Sequence, residues 1–536
     1  MIRSTRFWAK QWSKQQIAQR TSTSSPSSTR LLRSFASAAT PATPSYSQQQ
    51  FPSLILGPNQ SLTPIGSFAE NQAEFLQPDA AAVDAIASLL RATNAGIVAH
   101  YYMDVELQGV LHAVSQQLPD RVAIADSLAM GDAALNMVQD HGASAIACLG
   151  VDFMSESVQA ILHQYGHTNT PVYRLAQAKI GCSLAESAER ESYRAWLQTA
   201  APQNALHVVY INTSLATKAV SNSIVPTITC TSSNVLHTLL TAAAQIPSLD
   251  AIYYGPDTYM GDNLVTLLNT ISTSWTDAEI KERLHPAHTR NSLAQLAHST
   301  IQVYPHGNCV VHHLFGAAVV DTVREAYSDA YVTAHLEVPG EMFQIAMEYS
   351  MEQPTPRGVV GSTSDILKFI TRTVQEAPSS SSQRLRFVLG TEAGMVTSIL
   401  QKVQPILDTT QQEVEIIFPV ASEAVLATDD ADVPLVPGVT GGDGCSTAGG
   451  CATCPYMKMN SLDSLTNVLE LMQQGNKTEQ LARHAPPNHL GAEVWDGRPA
   501  MEWATEPIQY MRALTQEKQL PAGLVDRIVA GSGSRR

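Results

Sequence analysis

From Gly96 onward, short runs of consecutive apolar residues alternate with longer stretches in which apolar positions recur every third or fourth residue. GIVAH (Gly96–His100) is followed by YYMDVELQGVL, RVAIADS (Arg121–Ser127) by a helix start at Leu128, and ASAIACLG (Ala143–Gly150) by VDFMSESVQAIL. Runs of this length, apolar on both faces, predict strands of a parallel sheet covered on each side, and the helically spaced stretches predict the covering layers. The order returns from HVVYINTS (His207–Ser214), with CTSSNVLHTLL (Cys230–Leu240) and DAIYYGPDTYMGDNLVTLL (Asp250–Leu268). It returns again from YVTAHLEVP (Tyr331–Pro339), with GVVGSTSDILKFI (Gly358–Ile370) and FVLGTEAGMVTSIL (Phe387–Leu400). His100 to Ser127 and His335 to Ser362 both span 27 residues. A period somewhat over a hundred residues is too long for a solenoid. The fold class is therefore α/β, with three related domains over 70–190, 191–320 and 321–515.

The 536 residues leave length for several domains, and a 44% apolar content supplies their cores. No apolar run reaches the length of about 18 residues that a membrane span needs. Charge is uneven: Met1–Ala69 holds seven Lys/Arg and no acid, the first being Glu70. Segment 1–50 is rich in Ser, Thr, Gln and Arg, and Met1–Arg20 reads as a basic helix carrying Ile2, Phe7, Trp8, Trp12 and Ile17. This is the composition of an organelle presequence followed by a linker, excluded from the fold. Arg33-Ser34-Phe35-Ala36 points to mitochondrial processing; a plastid address and a disordered tail without an address are the alternatives. Removing the segment moves the formal charge from −15 to −22, which leaves no basic footprint for nucleic acid. Neither nucleic acid nor membrane is expected as a partner.

Seven cysteines, an odd number widely spread, do not resemble a secreted disulfide framework. Metal ligation in a reducing compartment fits better. Three of them fall in GGDGCSTAGGCATCPYMKMN (Gly441–Asn460), where glycines allow close approach to a bulky group and Pro455 removes an amide donor. The spacing Cys445-x5-Cys451-x2-Cys454 matches neither the paired arms of a zinc ribbon nor a bacterial ferredoxin core. Further ligands should therefore lie elsewhere. One cysteine follows each repeat: Cys182 in IGCSLAE, Cys309 in YPHGNCVVHHLF, and the Cys445–Cys454 loop after the third. One thiolate from each, meeting on a pseudo-threefold axis, would hold three corners of a cubane iron–sulfur cluster. The fourth iron would stay open as a Lewis acid for a substrate oxygen. Cys148 and Cys230, on apolar runs or at their ends, read as core thiols.

The strings AHYYMDVELQ, ADSLAMG, GVDFMSES, GCSLAE, VYINTS, CTSSN, GNCVVHHLF, VGSTSDIL, GTEAGM and CATCPYMKMN occur in the order found in the quinolinate synthase family. The chain resembles that family from about Ala99 to about Leu465. The long Cys445 loop with VPGV before it, and the insert between Tyr259 and Pro305, are similar to plant-type members. Those members also carry a sulfur-transfer activator domain ahead of the synthase, which nothing before Ala69 is expected to form. The resemblance implies three Rossmann-like α/β/α domains around a 4Fe–4S cluster held by Cys182, Cys309 and Cys454, the last being the iron ligand of its CxxC pair. Cys445 and Cys451 would be spare or redox-active. It implies condensation of iminoaspartate with dihydroxyacetone phosphate to quinolinate, the precursor of the nicotinamide ring of NAD, with release of phosphate and two waters. L-aspartate oxidase, as the iminoaspartate source, and iron–sulfur assembly proteins are the implied partners.

Substrates bearing a phosphate and two carboxylates need hydrogen-bond donors at helix starts, which Ser127, Thr231, Ser232, Ser362 and Thr363 offer; the plain alternative is ordinary N-capping. Tyr210 and Asn212 leave the first strand of the second repeat and suit a carboxylate or imine. His100, Tyr102 and Glu337 end first strands beside His335 and near His312. Enolisation, imine formation and dehydration all move protons, so Tyr102 and Glu337 are the leading acid–base pair, with His100 beside them. His100, His312 and His335 would orient substrate or phosphate. Leu336 replaces a proline usual in the family's HPE motif. The competing readings are a non-catalytic iron–sulfur or zinc protein whose cysteine loop is a structural clip, and an enzyme of this fold using another triose phosphate or imino acid.

Overall fold

The computed structural model of the chain describes residues 51–352, 354–377, 384–419 and 453–533. The presequence segment 1–50, Cys445 and Cys451 lie outside them. Apart from a short antiparallel pair (Val494–Trp495 with Arg498–Pro499), the strands in chain order are β1 (Ser53–Leu56), β2 (Leu62–Ile65), β3 (Gly96–His100), β4 (Val122–Ala125), β5 (Ile146–Leu149), β6 (Val172–Arg174), β7 (Ala205–Tyr210), β8 (Thr227–Cys230), β9 (Ala251–Gly255), β10 (Ile301–Val303), β11 (Tyr331–His335), β12 (Gly358–Gly361), β13 (Leu385–Gly390) and β14 (Val414–Ile417).

These strands build three sheets with one connectivity. The orders β4-β3-β5-β6, β8-β7-β9-β10 and β12-β11-β13-β14 are the same when each set is counted from its own first strand, and all pairs within them are parallel. Each order reverses between its first and third strands, the switch point at which open α/β sheets bind ligands beyond their carboxyl ends. Helices connect successive parallel strands, as such crossovers require. β1 and β2 form an antiparallel hairpin that adds to β14, so residues before 70 extend the third sheet.

Strand ends fall where caps take over. The apolar run expected over Arg121–Ser127 is a strand only to Ala125, because the Asp126 carboxylate accepts the N–H groups of Leu128 and Ala129 and starts the helix Ser127–Gln139. The run from His207 stops at Tyr210, since Ser214 caps the helix Leu215–Ile224 and 211–213 form the turn. Likewise β11 stops at His335, so Glu337 lies in a turn. The equal 27-residue intervals are one residue out of register: His100 pairs with Ala125 but His335 with Gly361. Asp126, not Ser127, is thus the counterpart of Ser362.

One continuous apolar core runs through the three sheets, with Ile97, Val98, Leu206, Ile252, Val332 and Phe387 fully buried. The last helices close the assembly: Leu462–Gln474 packs on Ala80–Thr93, and Ala500–Glu517 packs on Leu215–Ile224 and β8. Cys148 on β5 and Cys230 at the end of β8 are buried in the sheets.

Candidate active site

The first strand of each sheet ends at one cavity, with His100, Tyr210 and His335 as terminal residues. The following residue still donates its N–H to the neighbouring strand: Tyr101 to Ala125 O (3.2 Å), Ile211 to Cys230 O (2.8 Å) and Leu336 to Gly361 O (3.1 Å). The next residue has left the ladder. Tyr102, Asn212 and Glu337 occupy that position, and all three side chains line the cavity. Ser127, Thr231, Ser232, Thr363 and the three cysteines Cys182, Cys309 and Cys454 line it too.

Two residues singled out from the sequence are not among the lining. His312 sits behind, fully buried, stacked on His335 (centroids 5.0 Å, 18°), with Nδ1 3.2 Å from Glu337 Oε2. Ser362 is an N-cap whose hydroxyl is committed to Asp365, in a capping box that starts the helix Thr363–Glu376. Thr231 and Ser232 correct another expectation. They lie in a turn ahead of the helix Val235–Gln245, which begins only after Asn234. The Thr231 hydroxyl, buried at the cavity, has no hydrogen-bond partner.

The proton inventory follows from burial and contacts. Glu337 is 3% exposed. Burial opposes its ionisation, but His312 and the Tyr210 hydroxyl, which donates to Oε1, hold its carboxyl below the usual carboxylate range. Tyr102 is held well above the ordinary phenol value, by burial first and then by Glu392 and Glu337; its hydroxyl meets Thr363 Oγ1 at 2.9 Å and Thr391 Oγ1 at 3.2 Å. Tyr102 and Glu337 thus share the cavity but bond to different partners. Burial lowers His100 and His335 to about 4, so both are neutral. Their Nδ1 atoms accept the backbone N–H of Tyr102 (3.2 Å) and Glu337 (3.3 Å), which leaves the ring proton on Nε2.

Sequence reasoning gave no role to Glu392. It follows β13 in GTEAGM, lines the cavity and has an unpartnered Oε2. Burial, then Glu337, raises its carboxyl well above the ordinary value. Position after the third sheet's third strand was the available signal. Asp126 also lines the cavity while capping its helix.

Each lining cysteine follows the fourth strand of a sheet. Backbone N–H groups point at each sulfur: Leu184 and Ala185 at Cys182, His312 at Cys309, Tyr456 and Met457 at Cys454. Burial pushes the Cys182 thiol up to about 12 and the other two well above the usual range. Among the described residues no Lys or Arg lines the cavity to offset three thiolates. Three soft donors within turns of N–H groups, without a compensating side-chain cation, are a donor set that fits an iron–sulfur group. Cys309, His312 and Glu337 also place one donor atom each within 4.8 Å of one another, a group that can hold a metal ion.

Residues 84–486 match the model of the quinolinate synthetase A protein family (NadA). The chain belongs to that family. It is 47% identical over 499 residues to a quinolinate synthase, chloroplastic, of Nicotiana tabacum, an alignment covering 90% of this chain and 67% of the relative. The Arabidopsis thaliana protein of the same name is 44% identical over 508 residues, covering 91% and 68%. The quinolinate synthase of Prochlorococcus marinus (strain MIT 9303) is 25% identical over 401 residues, covering 74% and 86%. The chain thus spans about two thirds of the length of the plant relatives, and it is an enzyme. The mitochondrial address expected above finds no support here, because the plant relatives are named chloroplastic. Among the described residues no helix is long and apolar enough to cross a membrane.

Proposed function

We propose that the chain makes quinolinate for NAD biosynthesis, condensing iminoaspartate with dihydroxyacetone phosphate and releasing phosphate and two waters. The observation that carries this reading is the single cavity lined by three thiols and by the strand-end set His100, Tyr102, Tyr210, Asn212, His335 and Glu337. The three sheets of equal connectivity are read as three related Rossmann-like domains, over 70–190, 191–320 and 321–515, about a pseudo-threefold axis. Cys182, Cys309 and Cys454 would hold a 4Fe–4S cluster, which when bound supplies a Lewis acid for a substrate oxygen.

The chain's own groups divide the proton work. Glu337, ionised, is the base that withdraws a proton from carbon, and Tyr102, protonated, is the acid that gives one to a leaving hydroxyl. His100 and His335 present Nε2–H to phosphate or carboxylate oxygens, with His312 supporting Glu337 from behind. Ser127, Thr231, Ser232 and Thr363 add hydroxyl or backbone donors; Ser362 has only its capping role. Tyr210 and Asn212 orient the imino acid. The chloroplastic names of relatives favour a plastid location. L-aspartate oxidase as iminoaspartate source and iron–sulfur assembly proteins remain the proposed partners.

A second reading rests on Cys309, His312 and Glu337, whose mixed S, N and O donors suit one zinc ion in a non-catalytic protein. Anaerobically purified protein decides. Iron with acid-labile sulfide, together with quinolinate formed from the two substrates, is the expected result. Zinc without sulfide and no product would overturn it.

A further inference from the structure

The turns that carry Tyr102, Asn212 and Glu337 share a feature outside the reaction chemistry. In each, the carbonyls on either side of the cavity residue are gripped by one buried side chain. Gln108 Nε2 donates to Tyr101 O (2.7 Å) and Met103 O (2.8 Å). Lys218 Nζ donates to Ile211 O (3.1 Å), to Thr213 O and to Thr213 Oγ1 (2.9 Å). Asn263 Nδ2 donates to Leu336 O (2.9 Å) and Val338 O (2.7 Å). The three donors are 0%, 0% and 2% exposed.

Gln108 and Lys218 are each the fourth residue of the helix that follows the turn, Val105–Gln117 and Leu215–Ile224. In the third sheet that position, in Gly340–Ser350, is Phe343, which has no donor. Asn263, from the helix Thr258–Ser274 of the second sheet, reaches across in its place. The grips also join the sheets to one another. Gln108 Nε2 also lies 2.7 Å from Gly394 O in the turn after β13, so its two protons are shared among three carbonyls. In the second grip, Glu156 of the first sheet accepts the Leu215 N–H at its Oε2 (2.7 Å), and its charge acts on Lys218.

We infer that Gln108, Lys218 and Asn263 are positioning residues, clips that fix the Cα of Tyr102, Asn212 and Glu337 and so aim three side chains at one substrate. Two pinned carbonyls per turn leave the central residue little freedom of tilt, and a displacement near 1 Å costs a reaction about a hundredfold in rate. The inference rests on the reading of the cavity as the active site.

Asn263→Leu removes both donors and keeps the volume. Amide hydrogen exchange of the metal-free protein is expected to rise at least tenfold in peptides covering Leu336–Val338 and to stay unchanged over β3 and β7. The kcat for quinolinate is expected to fall about a hundredfold, with KM within threefold and iron content intact. Asn263→Gln, which keeps the donors, is expected to stay within tenfold of wild type. A turn that stays protected in Asn263→Leu, undiminished kcat with a loosened turn, or equal losses in the two variants would each overturn the proposal. If Asn263→Leu does not fold, Gln108→Leu against Gln108→Asn decides in the same way at the Tyr101–Met103 turn. Wild-type protein that makes no quinolinate sinks the functional reading instead, and exchange still decides whether the clips hold the turns.

Discussion

Gly307 allows a test of Cys309 that leaves every thiol in place. It lies two residues before Cys309, and its N–H donates to Thr258 Oγ1 at 2.9 Å while its carbonyl accepts Thr258 N–H at 2.7 Å. This fastens the cysteine loop to the start of the helix Thr258–Ser274. A Cβ on Gly307 would stand 1.9 Å from Pro256 O and 2.8 Å from Pro256 C, both backbone atoms. Cβ contacts do not fall below 3.0 Å, so Gly307→Ala has to open the loop by roughly 1 Å, at a cost of about 1–3 kcal/mol. Metal ligands tolerate only about 0.2 Å. Gly316, on the other side of Cys309, has nothing within 4 Å of its Cβ, and neither glycine needs the left-handed region. Iron and acid-labile sulfide per chain, with denaturant melts of the metal-free protein, give the comparison. Gly307→Ala is expected to hold less than half the wild-type iron and to melt earlier, and Gly316→Ala to match wild type. Full iron and sulfide in Gly307→Ala would refute both the steric reasoning and the role of Cys309 as a ligand.

Cys182→Ala and Cys454→Ala are each expected to abolish the iron and the broad visible absorbance, while Cys148→Ala and Cys451→Ala retain them. Loss in Cys451→Ala with retention in Cys454→Ala would move the ligand to the other thiol. Tyr210→Phe removes the hydroxyl that Glu337 accepts; a bond to a charged group is worth about 1.5–3 kcal/mol, so steady-state kcat is expected to drop about 10- to 150-fold with iron content unchanged. Lys218→Met strips the donor from Ile211 O, Thr213 O and Thr213 Oγ1 and removes the charge that acts on the buried Glu156, and is expected to cost about 1–3 kcal/mol in denaturant melts of the metal-free chain. A double variant with Glu156→Gln should lose less than the sum of the two single changes, and strict additivity would mean the pair does not interact.

Much of this was legible in the order of residues because two periods are written there. Apolar runs and helical spacing marked the strands near Gly96, His207 and Tyr331, and the repeat placed His100, Tyr210 and His335 at equivalent strand ends. What stayed hidden depends on atoms far apart in sequence. Ser362 looks like a ligand hydroxyl until its capping box with Asp365 is seen. The hairpin Ser53–Ile65 carries no sign that it joins β14, some 350 residues on. Glu392 reads as an ordinary acid, and only burial beside Glu337 raises its carboxyl well above the ordinary value. Asn263 belongs to a stretch without an assigned role, because the turn it clips lies in another sheet.

The proposed substrates arrive with negative charge, yet among the described residues no Lys or Arg lines the cavity. Neutral donors line it instead: Nε2–H of His100 and His335, hydroxyls at Thr231 and Thr363, and the first turns of Ser127–Gln139 and Thr363–Glu376. On the proposed reading they would hold the anions, leaving Glu337, engaged by Tyr210 and His312, as the base. Burial, then Glu337, raises the carboxyl of Glu392 well above the ordinary value, which disfavours a second carboxylate charge beside Glu337. The frame repeats three times, whereas the side chains at its equivalent turns, a phenol, an amide and a carboxylate, do not. On the proposed function, that difference would let one cavity bind, orient and exchange protons with two unlike substrates.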